Sequence, residues 1–367
     1  MAFSESQLFP PARPDRAPAA DTRQFGRLAA ALAVFALGLV LTAAALGLLD
    51  PVFQPRRDTG MRDVKLAELA RRAPEIDVLV LGTSRLLHGF DPAAFHAETS
   101  RLGRPLRAYN LSLQRLLLWE QERVLRDALA LPGFQPRLIL LEPAVGLGIA
   151  PENFTHARTL EFETAAAWRS AVEAVLDSGR RPLHQAWNIT AHSLVAGLHQ
   201  LRYGLYTNLA FPAPPAAPED SAMRDGFLAL PDRAATAAPP PGLAEFAASF
   251  RSDYTARAST PGPLPEALQR HFHRLRALCA ARGIAVVFVQ PPQLAFTTDE
   301  LRRLTFQFAP ALAGDGGLLT YLDPAAHAPL FALEGWADYN HMTATGARRF
   351  TAQLARDLAA ATPGPAR

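Results

Sequence analysis

Three short runs of this chain are apolar without interruption: "VLVL" in Val78–Gly82, "LILL" inside Pro136–Pro143 and "AVVFV" in Ile284–Pro292. A strand with one solvated face alternates apolar and polar residues. One that never alternates is buried on both faces, as in a parallel sheet covered by helices. "LRAYNLSL" (Leu106–Leu113) and "GLLTYLDP" (Gly317–Pro324) read as two further strands. Helical spacing fills the gaps, in "LWEQERVLRDALAL", in "LPEALQRHFHRLRALCAARG" with Gly283 closing it, and in a last helix "TATGARRFTAQLARDLAAA" capped by Thr343. The alternation predicts an α/β protein of three layers, α/β/α, around a mostly parallel sheet. Such sheets bind ligands at the carboxyl ends of their strands. Ser84, Asn110 and Glu142 all fall there.

Other function classes are disfavoured. Lys plus Arg number 37 against 34 Asp plus Glu, scattered and without a basic block, so the chain reads as no nucleic-acid binder. Gly146-x-Gly148 lacks the rest of a dinucleotide fingerprint, and neither a phosphate loop nor cysteine–histidine metal spacing occurs. His271 and His273 point to different faces of one helix and make a poor metal site. We expect no cofactor and no metal. The single cysteine, Cys279, lies on an apolar helix side and reads as core.

Residues 28–49 carry no charge and are long enough to cross a bilayer as a helix. Arg13, Arg16, Arg23 and Arg27 precede them, which places a disordered tail, residues 1–27, in the cytoplasm. A cleaved signal peptide is the competing reading, and both export the remainder. In a bacterium this predicts an inner-membrane, single-pass protein whose carboxyl-terminal domain faces the periplasm. That domain is read as residues 50–150 and 263–367. Residues 151–262 read as an insertion near the strand ends, helical at first and then Pro/Ala-rich, as a lid or docking surface.

Near the carboxyl end stands "WADYNHMTATGARR", with Asp338 and His341 three apart just before the last helix. Acyl transfer by serine needs a histidine to take the hydroxyl proton and a carboxylate to orient the imidazole. If the last helix packs beside the first strand, this turn faces Ser84. Each residue also has a plainer reading. Ser84 or Thr83 caps a helix, His341 is an ordinary cap-region histidine, and Asn110 ties down a turn. Arg85 holds a structural aspartate such as Asp91, and His88 is a surface residue.

Gly82-Thr83-Ser84, Asn110 and Asp338-x-x-His341, in this order, resemble the SGNH or GDSL-like hydrolase superfamily. The Gly-Thr-Ser-Arg and "YNLSL" forms are similar to its extracytoplasmic, membrane-anchored branch, near the alginate O-acetyltransferases and the D-alanyl transfer protein DltD. The likeness covers roughly residues 74–150 and 264–362. It implies a flavodoxin-like sheet, with Ser84 as nucleophile, His341 as general base and Asp338 as its partner. It assigns Ser84 or Arg85 backbone N–H to the oxyanion hole, and makes Arg85, Asn110, Ser112 and Gln114 oxyanion or substrate-binding candidates. The chain departs from the family at Thr83, where aspartate is usual. No glycine follows Asn110, and Leu141-Glu142-Pro143-Ala144 stands where Gly-x-Asn-Asp is typical. The resemblance implies an enzyme moving acyl groups, foremost O-acetyl, on a cell-envelope carbohydrate, with a multi-pass membrane O-acyltransferase as partner. The alternatives are a carbohydrate esterase that uses water, and a non-catalytic scaffold of the same fold for polysaccharide modification or export.

Overall fold

The apolar runs form the strands expected of them. In the computed structural model, β1 is Val78–Leu81, β2 Ala108–Asn110, β3 Leu138–Leu141, β6 Ala285–Gln290 and β7 Leu318–Thr320. They make one sheet in the order β2-β1-β3-β6-β7, every pairing parallel. The order reverses between β1 and β3, so this doubly wound sheet opens a crevice at their carboxyl ends. The described residues are 61–143, 162–178, 181–200, 223–234, 266–294 and 317–361, with isolated positions elsewhere.

Alternate side chains of the same strands feed two separate cores. Leu79, Leu81, Ile139, Leu141, Val286 and Phe288 pack on one face. That face is covered by α1 (Met61–Arg72), α4 (Leu118–Leu129), α5 (Ala165–Leu176) and α7 (Glu266–Ala280). Val78, Val80, Leu140 and Val289 pack on the other, against α2 (Ser84–Gly89), α3 (Pro92–Arg101) and α8 (Ala344–Ala361). Burying each such Leu or Val contributes roughly 1.5–3 kcal/mol. This is why the strands lack polar alternation. Cys279 is fully buried, and burial pushes its thiol up to about 11.

The strands are shorter than their apolar surroundings suggest. β2 ends at Asn110, and the chain still runs alongside the first strand, the Leu111 and Leu113 N–H groups donating to Val80 O and Gly82 O at 2.8 and 3.0 Å. The helices of the expected insertion do not stand apart. α5 and α6 (Pro182–Gln200) place Ala171, Ala174, Val175 and Val195 in the same core as β1 and β3. Later in that segment, β4 (Met223–Arg224) and β5 (Phe227–Leu228) form a hairpin through Asp225-Gly226, both at positive φ, as a tight turn requires. The Pro/Ala-rich stretches around it lie outside the described residues.

The chain divides into two compact units, Met1–Phe53 and Gln54–Arg367. The expected tail and most of residues 28–49 lie outside the described residues. At the described positions in that span, Ala31, Val34, Phe35, Leu37 and Gly38 are helical, and all are exposed. Among the described residues no helix is long and apolar enough to cross a membrane.

Candidate active site

Residues far apart in the chain meet at the carboxyl end of β1. Ser84 opens α2, whose cap is Thr83: its hydroxyl accepts the Arg85 N–H at 3.3 Å. The other half of the site is a pinched loop before α8. Trp336 and Met342 pair across it, Ala337 N–H donates to His341 O, and Thr343 N–H donates to Gly335 O. Thr343 caps α8 by accepting the Gly346 N–H at 3.2 Å. The loop lies so close to α8 that a Cβ at Gly346 would sit 2.0 Å from Gly335 O.

Within this loop Asp338 Oδ1 accepts the N–H groups of Asn340 and His341 at 2.7 and 2.8 Å. Its Oδ2 lies 2.7 Å from His341 Nδ1, and His341 Nε2 lies 2.8 Å from Ser84 Oγ. A carboxylate only accepts, so Nδ1 carries the proton and Nε2 accepts the serine hydroxyl. Burial acts to raise the Asp338 carboxyl. Hydrogen bonds from His341 and from the Asn340 amide outweigh it and hold the group below its ordinary value. Asp338 is therefore the ionised member, able to orient an imidazole and to stabilise it once protonated.

The turn that carries Ser84 is locked by Glu142, which follows β3. Glu142 Oε2 accepts the Thr83 N–H at 2.7 Å, both carboxylate oxygens lie within 3.1 Å of the Thr83 hydroxyl, and Oε1 pairs with Arg85 Nη2 at 2.5 Å. A Cβ at Gly82 would fall 2.5 Å from Glu142 Oε2, so only glycine admits this carboxylate. Arg85 is thus held by Glu142. Asp91, the partner expected from sequence, instead caps α3 by accepting the N–H groups of Ala93 and Ala94.

The oxyanion candidates divide. Asn110 donates both amide hydrogens, to Leu86 O at 2.8 Å and Phe90 O at 2.9 Å, so neither is free for an oxyanion. It fastens α2 to β2. Ser112 is buried, and its hydroxyl has no hydrogen-bond partner among the described residues. Gln114 is exposed beside Arg115, which has φ of 50°. The Arg85 N–H is engaged by Thr83, whereas no acceptor takes the Ser84 N–H among the described residues. Of the two backbone donors expected from sequence, Ser84 is the one available.

Three further groups shape the site. His88, expected at the surface, is buried, because the 223–234 segment covers it: its Nδ1 lies 2.8 Å from Leu228 O. Its ring meets that of His341 edge-on at 5.1 Å. Burial is the main cause holding His88 below its ordinary pKa, with the nearby His341 and Lys65 adding to it. Lys65 of α1 is wholly buried and donates to the carbonyls of Asn110 and Ser112 at 2.9 and 2.6 Å, pinning the loop after β2. Burial drives its ammonium well below the ordinary value, against the pull of Glu68. The covering segment also fixes the second half of the site: Leu230 O accepts the Ala344 N–H, and Asp232 accepts the Thr345 N–H at 2.7 Å. Sequence reading missed this segment, although the Asp225-Gly226 pair is a hairpin signal. Lys65 left a fainter one, four residues before core Leu69 on a helix.

Among the described residues no cluster of His, Cys, Asp and Glu is arranged to hold a metal. No family model matches the chain, and no curated protein matches it.

Proposed function

We propose that this chain is a membrane-anchored serine acyl-transfer enzyme of the SGNH type, acting on O-acyl esters, foremost O-acetyl, of a cell-envelope carbohydrate. The observation that carries the reading is the unbroken chain Asp338–His341–Ser84, with contacts of 2.7 and 2.8 Å. The β2-β1-β3-β6-β7 order, with the serine at the switch point, agrees with the flavodoxin-like sheet of that superfamily. A complete and correctly protonated triad favours an enzyme over a scaffold that merely kept the fold.

Ser84 Oγ attacks the acyl carbonyl while its proton passes to His341 Nε2. The Ser84 N–H faces the charge that develops on the carbonyl oxygen. His341 returns the proton to the departing alkoxide, leaving the acyl group on Ser84. The oxygen of a sugar hydroxyl then attacks the acyl carbon as its proton passes to His341; the bond from the acyl carbon to Ser84 Oγ breaks, and His341 returns the proton to Ser84. Water as acceptor makes the same site an esterase. No cofactor enters this scheme.

Residues 28–49 are proposed as the anchor, with the α/β domain in the periplasm. Supporting this, residues 28–49 carry no charge over a length that spans a bilayer as a helix. An acyl donor must then reach the outer face of the membrane, and a multi-pass acyltransferase is the partner suited to supply it.

The test is turnover of p-nitrophenyl acetate by the purified full chain, with and without oligosaccharide. Loss of turnover in Ser84→Ala supports a serine enzyme. Acetylated sugar identifies a transferase, and free acetate alone an esterase. A folded wild-type chain inert toward every acyl donor would leave the scaffold.

A further inference from the structure

The α/β unit keeps its large apolar side chains inside, with one concentrated exception. Its exposed large apolar residues among those described are Trp168, Leu176, Leu183, Trp187, Leu194 and Leu333. All but Leu333 lie on the α5–α6 hairpin. Leu183, Trp187 and Leu194 are spaced i, i+4 and i+11, which puts them on one side of α6. Leu183 is 87% exposed and Trp187 is 51% exposed.

The two helices share this surface. Trp168 Nε1 donates to Ser193 Oγ at 3.1 Å, beside Leu194. At the other end Gln185 donates to the carbonyls of Val175 and Leu176, which brings Leu176 toward Leu183. The exposed positions between the large residues of α6 are His184, Ala186, Thr190 and Ser193. Over its 19 residues, Pro182–Gln200, α6 has no Asp, Glu, Lys or Arg. On α5 the surface also carries Arg169, ion-paired with Glu173; single exposed apolar residues are ordinary, but a row of them on a surface helix without Asp, Glu, Lys or Arg marks an interaction site.

We infer that this face rests on the lipid bilayer. The inference goes beyond acyl transfer and rests on the anchor reading in one respect. Residues 28–49 bring a bilayer to the molecule, and the connector, residues 50–60, reaches at most about 38 Å when fully extended. The unit is therefore confined near the membrane. Tryptophan suits the headgroup boundary, where its ring lies in apolar surroundings and its N–H stays in polar ones, and two tryptophans stand here. The occupant is lipid rather than a second copy of the chain, because confinement presents lipid to this face continuously. Docked in this way, the hairpin fixes the orientation of the unit to which α5 and α6 are welded through the shared core.

The full chain, reconstituted in vesicles of phosphatidylethanolamine and phosphatidylglycerol with brominated acyl chains, tests this. Trp119 and Trp336 are buried, so quenching reports Trp168 and Trp187. The expected result is strong quenching, lost in the Trp168→Phe/Trp187→Phe double variant. Leu183→Glu/Leu194→Glu, altered only at exposed positions, should lose most of the quenching and still turn over p-nitrophenyl acetate at the wild-type rate. A chain that floats with vesicles yet shows unquenched tryptophans overturns the inference while leaving the anchor intact. Unquenched tryptophans together with cross-linking of copies through Leu183→Cys overturn it in favour of self-association. A chain that fails to float overturns the anchor reading and this inference together.

Discussion

Replacing Glu142 isolates the structural support of the nucleophile from the nucleophile itself. The carboxylate is 1% exposed and Arg85 is 23% exposed. Glu142→Gln keeps the shape and retains one oxygen for the Thr83 N–H, but turns an NH2 group toward the Arg85 guanidinium. Breaking a fully buried ion pair costs about 3–5 kcal/mol, and a buried amide left without its acceptor about 1–3 kcal/mol. Arg85 retains access to water, and glutamine still serves Thr83, so the net cost should be about 2–3 kcal/mol. For a domain of this size that lowers Tm by roughly 3–5 °C. The catalytic loss should be of about the same size as the stability loss. Thr83 and Arg85 flank Ser84, and a displacement of the nucleophile by about 1 Å costs on the order of a hundredfold in rate. Differential scanning fluorimetry and kcat/KM for p-nitrophenyl acetate, measured well below Tm, give both quantities. A variant with wild-type Tm and wild-type kcat/KM would refute the claim that Glu142 holds the turn.

Other substitutions probe neighbouring supports. Gly346→Ala puts a Cβ against Gly335 O, which must shift the Asp338–His341 loop; turnover should fall at least tenfold, with a Tm loss seen by fluorimetry. Gly226→Ala meets Asn110 O in the same way and also forces alanine to a φ of 76°; it should lift the hairpin off β2 and raise proteolysis within residues 223–234. Asp338→Asn removes the charge that fixes the imidazole, and kcat should drop about 10⁴-fold while KM changes little. His271 is buried, with Nδ1 3.7 Å from Glu122, and burial first of all lowers its pKa to about 4. A depressed folded-state value means the unfolded chain takes up a proton the native state refuses. Stability is then full above about 6.5 and lost between there and about 4, by roughly 3 kcal/mol. Urea unfolding across that window should show the loss in wild type and a flatter profile in His271→Leu.

How much was legible in the sequence followed the range of the interactions. The strands could be read because two-sided burial imposes a local composition, and Asp338 with His341 because a turn three residues long can carry both. Their meeting with Ser84 could be anticipated from the alternation of elements, which brings the last helix beside the first strand. Arg85 was misread because its partner, Glu142, is 57 positions away and only strand pairing brings it near. The role of Asn110 depends on where α2 ends, since it holds Leu86 O, which also accepts the Phe90 N–H in the last turn, and Phe90 O just beyond the helix. His88 was misplaced because its cover comes from residues 223–234, between stretches with no periodicity to read. α5 and α6 were read as part of an insertion near the strand ends, and Ala171 and Ala174 of α5 join the core that holds β1 and β3.

The central claim is that Ser84 carries the acyl group during turnover, and peptide mass spectrometry after an acid quench tests it most directly. With p-nitrophenyl acetate, the wild-type chain should show a single acetyl group on the peptide containing Ser84, strongly diminished in His341→Ala and absent in Ser84→Ala. Acetate release by a folded chain whose Ser84 is never acetylated, or acetylation that persists unchanged without His341, would contradict the account.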